Sequence, residues 1–249
     1  MSPYEQFKAE CGKEIALQDN PELWQKTHDW IHAVEPTHYS YHFEWFGRPI
    51  IQFPQDIVQF QEIVWQTKPD LIIETGIAHG GSLILSASML ALLDMLSPSA
   101  QKRMVLGIDI DIRKHNRDAI ETHPLVNRVK MLEGSSTDES IVNAVKEYAK
   151  DFKSIMVCLD SNHTHEHVLQ ELELYANLVS VGNYCIVWDT IVEDMPKGSY
   201  PDRPWDKGDN PKTAVWEFLK THAEFKIDKS IQNKLLITVA PDGYLRRIK

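Results

Sequence analysis

Leu71-Ile72-Ile73-Glu74-Thr75-Gly76-Ile77-Ala78-His79-Gly80-Gly81-Ser82 decides the fold of this 249-residue chain. Leu71 to Ile73 is a continuous apolar run, the signature of a parallel strand buried on both faces rather than of a half-exposed one. Three glycines follow, and a helix is expected from Ser82 to Leu96. Glycines at such a turn remove the side chains that keep a ligand off the backbone. The helix start aims unpaired N–H groups and the positive end of its dipole into the same space. The stretch therefore reads as a strand, a small-molecule-binding turn and a helix.

The spacing narrows the ligand. A dinucleotide fingerprint needs Gly-x-Gly-x-x-Gly and a P-loop needs Gly-Lys-Ser/Thr, whereas this chain has Gly76-x-x-x-Gly80-Gly81. A nucleoside without a pyrophosphate needs fewer close-approach glycines but does need an acid for its ribose hydroxyls. The next predicted strand, Met104 to Asp109, ends in one. An ordinary strand-to-helix turn would explain the first motif alone; Asp109 at the neighbouring tip favours a nucleoside site.

Outward from this unit the chain alternates. Strands are expected at 71–74, 104–109, 128–132, 154–160 and 184–189, and helices at 82–96, 113–122, 138–149 and 165–179. Such alternation implies a doubly wound, mostly parallel α/β sheet. Upstream, helices are expected at 21–33 and from Pro54 to about Lys68. Between them, the aromatic stretch from Tyr41 to Gln52, with its Gly47-Arg48-Pro49 turn, reads as a hairpin or arm. Residues 1–52 are accordingly an N-terminal extension to a domain of 53–249. Residues 190–210 hold Pro196, Gly198, Pro201, Pro204 and Gly208 and read as a lid or binding loop. After a helix at 212–222, Phe225–Lys229 and Leu235–Val239 read as a terminal antiparallel hairpin turning at Gln232-Asn233.

Composition excludes several classes. A net charge of −10 argues against a nucleic-acid surface, which needs a basic stripe. No apolar run approaches the roughly 18 residues of a membrane span. Three cysteines cannot all pair, two of them (Cys158, Cys185) fall in predicted core strands, and no signal-peptide pattern is present, so a reducing cytoplasm is the simplest fit.

Ligands gather at the carboxyl ends of strands in open α/β sheets. Here those ends carry Glu74, Asp109, Gly134-Ser135-Ser136, Asp160 and Asp189. Asp160 and Asp189 end adjacent strands and fit a shared hard cation such as Mg²⁺, with Thr190 as a further donor; the plainer reading is that both cap the loops after their strands. Glu193 and Asp194 are alternative ligands or solvated charges. His163, three residues after Asp160, stands where a base would take a proton from a substrate hydroxyl, its ordinary pKa of about 6.5 suiting the task. Together with His165 and His167 it also admits an iron-dependent hydroxylase. His167 and Glu166 otherwise read as a solvated helix face.

Taken as a set, Ile-Glu-Thr-Gly-Ile-Ala-His-Gly-Gly-Ser (73–82), Gly-Ile-Asp-Ile-Asp (107–111), Leu-Glu-Gly-Ser-Ser-Thr-Asp (132–138), Leu-Asp-Ser-Asn-His-Thr-His-Glu-His-Val (159–168) and Tyr-Cys-Ile-Val-Trp-Asp-Thr (184–190) resemble the cephalosporin hydroxylase family, which also includes rhamnosyl O-methyltransferases. The resemblance covers roughly residues 40–240. It implies a class I S-adenosylmethionine (SAM)-dependent methyltransferase fold, with a seven-stranded sheet whose last strand is antiparallel. It further implies that Glu74, Gly76, Gly80, Gly81 and Ser82 embrace the methionine part of SAM, that Asp109 holds the ribose, and that Ser135 or Ser136 lies beside the adenine. By similarity to the catechol O-methyltransferase arrangement, Asp160, Asp189 and Thr190 surround Mg²⁺ or a similar divalent cation, and His163 falls where a basic lysine sits. Some members carry an acid where Trp188 stands, which leaves the third ligand to Thr190, Glu193 or water. The expected activity is methyl transfer to a hydroxyl of a sugar or glycosylated natural product, with Tyr200, Trp205, Trp45 and Phe46 offering flat faces to the acceptor. An oligomer is implied as well. The alternatives are the iron hydroxylase and a non-catalytic cofactor-binding protein.

Overall fold

A computed structural model of the chain describes residues 1–99 and 101–249. It opens with helices α1 (Pro3–Leu17) and α2 (Pro21–Val34). Each has proline in its first turn and a capping side chain, Ser2 and Asn20 respectively, on the otherwise unpaired amides. α1 was not anticipated from the sequence: it buries none of its residues, so it carries no clear apolar stripe to read. Strands β1 (Phe43–Trp45) and β2 (Arg48–Ile50) form the expected hairpin, and α3 (Pro54–Thr67) follows.

The body is β3 (Leu71–Thr75), α4 (Gly81–Leu96), β4 (Met104–Asp109), α5 (Lys114–Glu121), β5 (Val129–Glu133), α6 (Glu139–Ala149), β6 (Ile155–Leu159), α7 (His165–Tyr175), β7 (Tyr184–Val187), α8 (Pro211–Phe218), β8 (Phe225–Ile227), α9 (Lys229–Leu235) and β9 (Tyr244–Arg247). The seven-stranded sheet runs β5-β4-β3-β6-β7-β9-β8. Its first five strands are parallel, and β9 is antiparallel to both β7 and β8. Alternate strand residues feed two cores. Ile72, Val105, Met156 and Ile186 pack with α3 and α4, while Ile73, Leu106, Val157 and Val187 pack with α6, α7 and α8. Coverage of both faces is why these strands read as unbroken apolar runs.

One element differs from expectation. Leu235–Val239 is not a strand: Leu235 closes α9, Leu236 takes a left-handed φ of 60°, and Thr238 and Val239 are tied by side chain and backbone to Asp56 on α3. The closing antiparallel strand lies later, at Tyr244–Arg247. The apolar 235–239 stretch still packs on the core, with Leu235 and Ile237 partly buried and Thr238 and Val239 buried, but hydrogen bonding to a carboxylate replaces the ladder.

The chain runs outward from β3 through β4 to β5, then returns to place β6 on the other side of β3. This reversal splays the connections apart beyond the ends of β3 and β6, leaving a crevice. Gly76 and Asp160 emerge side by side into it.

Candidate active site

The crevice begins with backbone. Asp160 N donates to Thr75 O at 2.9 Å and Trp188 N to Leu159 O at 3.0 Å, so the exits of β3, β6 and β7 lie level. Gly76 has φ 88°, and a Cβ there would lie 2.0 Å from the Asp160 carbonyl oxygen; only glycine fits. The other two glycines of the motif serve packing as well. A Cβ on Gly80 would strike Ile120, and one on Gly81 would lie 2.2 Å from the Pro49 carbonyl oxygen of the N-terminal hairpin. That hairpin is clamped to the loop by Arg48, which donates to His79 O and Asn116 Oδ1, and by Trp45 Nε1, which donates to Ser88 Oγ.

A cavity of about 580 Å³ opens over these strand ends. Gly76, Gly81, Ser82, Asp160, Ser161, His163 and Asp189 line its floor. Glu35, His38, Ser40 and Tyr41 form one wall, and Ser199, Tyr200, Arg203 and Trp205 of the long loop form the opposite one. The long loop is held shut on itself: Asp206 accepts from Gly198 N, and Glu193 accepts from Gly208 N and Asn210 Nδ2.

Asp160, His163 and Asp189 each offer an atom within 4.8 Å of the others, and they are the metal-capable group among the described residues. His163 Nε2 lies 2.9 Å from Asp189 Oδ2, and Trp205 meets the imidazole edge-on at 4.7 Å. Burial, then the nearby carboxylates of Asp189, Glu74 and Glu171, hold the Asp160 carboxyl well above the usual carboxylate range. Two acids close together beside a nitrogen donor are the arrangement a divalent cation relieves, so the residues present fit such an ion.

Thr190 does not join this group. It is fully buried, and its hydroxyl donates to Pro241 O at 2.6 Å. The sequence could not reveal this partner, which lies 51 residues away. Glu193 is committed to the long loop, and Asp194 pairs with Lys212 at 2.5 Å. The histidines also part company. His165 Nδ1 bonds Thr213 Oγ1 at 2.8 Å, and His167 Nε2 lies between Ser136 Oγ and Ser161 Oγ at 3.2 and 3.1 Å. The hydroxylase alternative needs these rings together as ligands, and they are not. Nor is His167 on a solvated face: with Ser161 it serves the buried Glu171, which accepts from Ser161 Oγ at 2.7 Å.

The remaining predicted residues surround the cavity without lining it. Asp109 Oδ2 accepts from Ile77 N at 2.7 Å and Ala78 N at 3.2 Å, so this acid braces the glycine loop. Ser135 bonds Thr137, and Ser136 is buried against His167 and Tyr175. Glu74 points beneath the floor, where Ser82 Oγ donates to it beside a void of about 20 Å³ shared with Asp56 and Trp188. Burial pushes its carboxyl up to about 8 despite that hydrogen bond, so Glu74 is neutral at pH 7. Glu35, Ser161 and Pro49 had not been singled out. Glu35 ends a helix before a proline and Pro49 lies in the short strand β2, and neither context signals a site.

With this geometry in place, the comparisons are specific. The model of the family described as rhamnosyl O-methyltransferase/CmcI matches residues 37–248. The rhamnosyl O-methyltransferase of Mycobacterium tuberculosis is 30% identical over 197 residues, covering 77% of this chain and 73% of the relative. That of Mycobacterium leprae is 26% identical over 205 residues, with 82% of each chain covered. Among solved structures, a Mg–SAM form of CmcI superposes with a TM-score of 0.57 at 18% identity over 84% of this chain and 78% of that one. The TDP-rhamnose 3'-O-methyltransferase of calicheamicin biosynthesis gives 0.51 at 15% identity over 99% and 95%. These structural likenesses establish the methyltransferase fold, and the family match together with the 30% relative establishes the rest: the chain belongs to the rhamnosyl O-methyltransferase/CmcI family.

Proposed function

We propose that this protein is a SAM-dependent O-methyltransferase, assisted by a divalent cation such as Mg²⁺, that methylates a hydroxyl of a saccharide or glycosylated acceptor. One observation carries the reading: the Asp160–His163–Asp189 cluster and the Gly76–Ser82 loop open into the same cavity. Family membership supports it, because the mycobacterial relatives are named for rhamnosyl O-methylation. No described helix is long and apolar enough to cross a membrane.

The Gly76–Ser82 turn and the start of α4 would receive the methionine end of the donor, with Asp109 keeping that turn in shape. Ser161, tied to the His167–Glu171 pair, would fix the chain between the donor and the metal ligands. Asp160 and Asp189 would hold the cation, which when bound supplies Lewis acidity that lowers the acceptor hydroxyl's pKa and orients it for in-line attack. His163 Nε2 would accept the hydroxyl proton. Tyr200 and Trp205 would flank the acceptor and exclude water, since a wet site would dilute the electrostatic effect of these groups.

A second role for His163 is favoured by its 2.9 Å approach to Asp189 and its place among the three donors: that of third protein ligand in place of Thr190. Thermal shift with Mg²⁺ separates the two. His163→Ala should keep the Mg²⁺-induced stabilisation if the ring is a base, and lose it if the ring is a ligand. The overall proposal is tested by calorimetry with S-adenosylhomocysteine (SAH) and by mass spectrometry of rhamnosyl and other deoxysugar glycosides incubated with SAM and Mg²⁺. Methylation that is abolished by EDTA and restored by Mg²⁺ is expected. Absence of SAH binding would sink the proposal.

A further inference from the structure

The N-terminal wall of the cavity contains a carboxylate to which the proposed reaction, as described, assigns no task. α2 stops at Val34 because Pro36 lacks the amide that would continue it, and Glu35–Thr37 forms a tight 3₁₀ turn. Ile31, one turn before, is buried in the core, so the end of α2 is anchored. Glu35 thereby faces the cavity across from the long loop. Among the described residues its carboxylate has no hydrogen-bond or ion-pair partner. Burial, then the neighbouring Asp189, raises its carboxyl above the ordinary value. Glu35 and Asp189 likewise appear, after burial, among the groups that raise Tyr200. Glu35 thus lines the same cavity as Asp189 and Tyr200. It also lies two positions before the stretch matched by the family model, which begins at residue 37.

A half-buried carboxylate without a partner in the protein is free to accept a hydrogen bond from a ligand that displaces its water. A carboxylate accepts hydrogen bonds and repels anions. The cation held by Asp160 and Asp189 would balance their charges, so at this wall it is the Glu35 carboxylate that disfavours an anionic acceptor end. The nearby faces of Tyr200 and Trp205 suit a ring with an apolar side and a hydroxylated edge.

Building on the proposed methyltransferase activity, we infer that Glu35 is the acceptor-selecting residue: its carboxylate takes a hydrogen bond from a hydroxyl next to the one that is methylated, so the acceptor presents an uncharged vicinal diol at this end.

The test uses the full chain with SAM and Mg²⁺, with p-nitrophenyl α-L-rhamnopyranoside and its monodeoxy analogues as probes. SAH affinity is first measured for wild type, Glu35→Gln and Glu35→Ala, and should be the same in all three, since Glu35 faces the acceptor. In Glu35→Ala, KM for the diol glycoside should rise roughly 10- to 100-fold, the range for losing a hydrogen bond to a charged group, while kcat falls less. One deoxy analogue should be used equally well by wild type and Glu35→Ala, because hydroxyl and carboxylate are then lost as a pair. An unchanged KM in Glu35→Ala overturns the inference, as does a variant that still distinguishes every deoxy analogue as wild type does. Wild type that binds SAH but methylates no diol glycoside also overturns it. Wild type that fails to bind SAH instead refutes the methyltransferase reading on which the inference rests.

Discussion

Replacing Gly76 with alanine probes the contact on which the whole site depends. Two costs follow from the structure. A non-glycine residue at φ 88° loses about 1–2 kcal/mol to steric strain. The added Cβ would also lie 2.0 Å from Asp160 O and 2.6 Å from its carbonyl carbon, where ordinary contact begins at 3.4 Å. Asp160 cannot simply move aside, because its N–H is bonded to Thr75 O in the same sheet edge. Forcing backbone apart in a packed interior adds about 1–3 kcal/mol. The sum, about 2–5 kcal/mol, corresponds to a fall in Tm of roughly 10 °C for a chain of this size. Gly182 supplies the control, having the same φ of 88° with nothing within 4 Å of its notional Cβ. Gly182→Ala should cost only the strain, about 1–2 kcal/mol, or roughly 2–8 °C. Differential scanning fluorimetry of both variants isolates the steric part, and SAH titration of Gly76→Ala should show weakened binding. Equal melting temperatures for the two variants would refute the claim that the β3 and β6 exits touch.

Asp160→Asn removes a carboxylate that its neighbours oppose, so the metal-free protein should melt at or slightly above the wild-type temperature while losing the stabilisation that Mg²⁺ gives; a persistent Mg²⁺ shift would exclude Asp160 as a ligand. Glu74→Gln should stabilise the chain at pH 7: the native carboxyl, raised to about 8 by burial, keeps its proton when folded but releases it on unfolding, whereas the amide has none to release. Relative to the variant, the wild type should lose stability as pH rises from about 4.5 through 8, as urea titrations at pH 5 and 8 would reveal; parallel losses would refute the assignment. Asp56 accepts from Thr238 Oγ1, Val239 N and Tyr244 OH, yet burial raises it to about 6. Its folded-state pKa exceeds the unfolded one, so its contribution is fullest below about pH 4 and is lost as pH rises through 6. Relative to Asp56→Asn, the wild type should lose about 3 kcal/mol between pH 4 and 7. Superimposable urea-derived pH profiles would count against this.

The succession of strands and helices and the placing of Gly76, Asp160 and Asp189 at strand ends were legible, because each rests on local patterns: apolar runs, breakers, and acids at strand ends; the order of strands in the sheet and the reversal at β3 rest on pairing between distant segments. What the sequence concealed were partners distant along the chain. Thr190 looks like a ligand beside Asp189 until Pro241 takes its hydroxyl, and Asp109 looks free until Ile77 and Ala78 donate to it. Leu235–Val239 has strand composition, but Asp56 captures its backbone first. Glu35 gave no signal at all, since an acid before a proline is an ordinary helix ending. The glycines were singled out for close approach of a ligand, and the structure adds a packing reason: Gly80 and Gly81 admit Ile120 and Pro49.

The seating of Pro49 on Gly81 ties two jobs together. The chain that would grip the donor and the chain that walls off the acceptor abut backbone to backbone, with the Arg48 guanidinium riveting the joint at His79. Such a seam leaves no slack: a donor settling on the 76–82 turn would stiffen the opposite compartment as well. An enzyme built this way favours a fixed sequence of arrivals, donor first and acceptor second, in which the first occupant finishes the mould for the second.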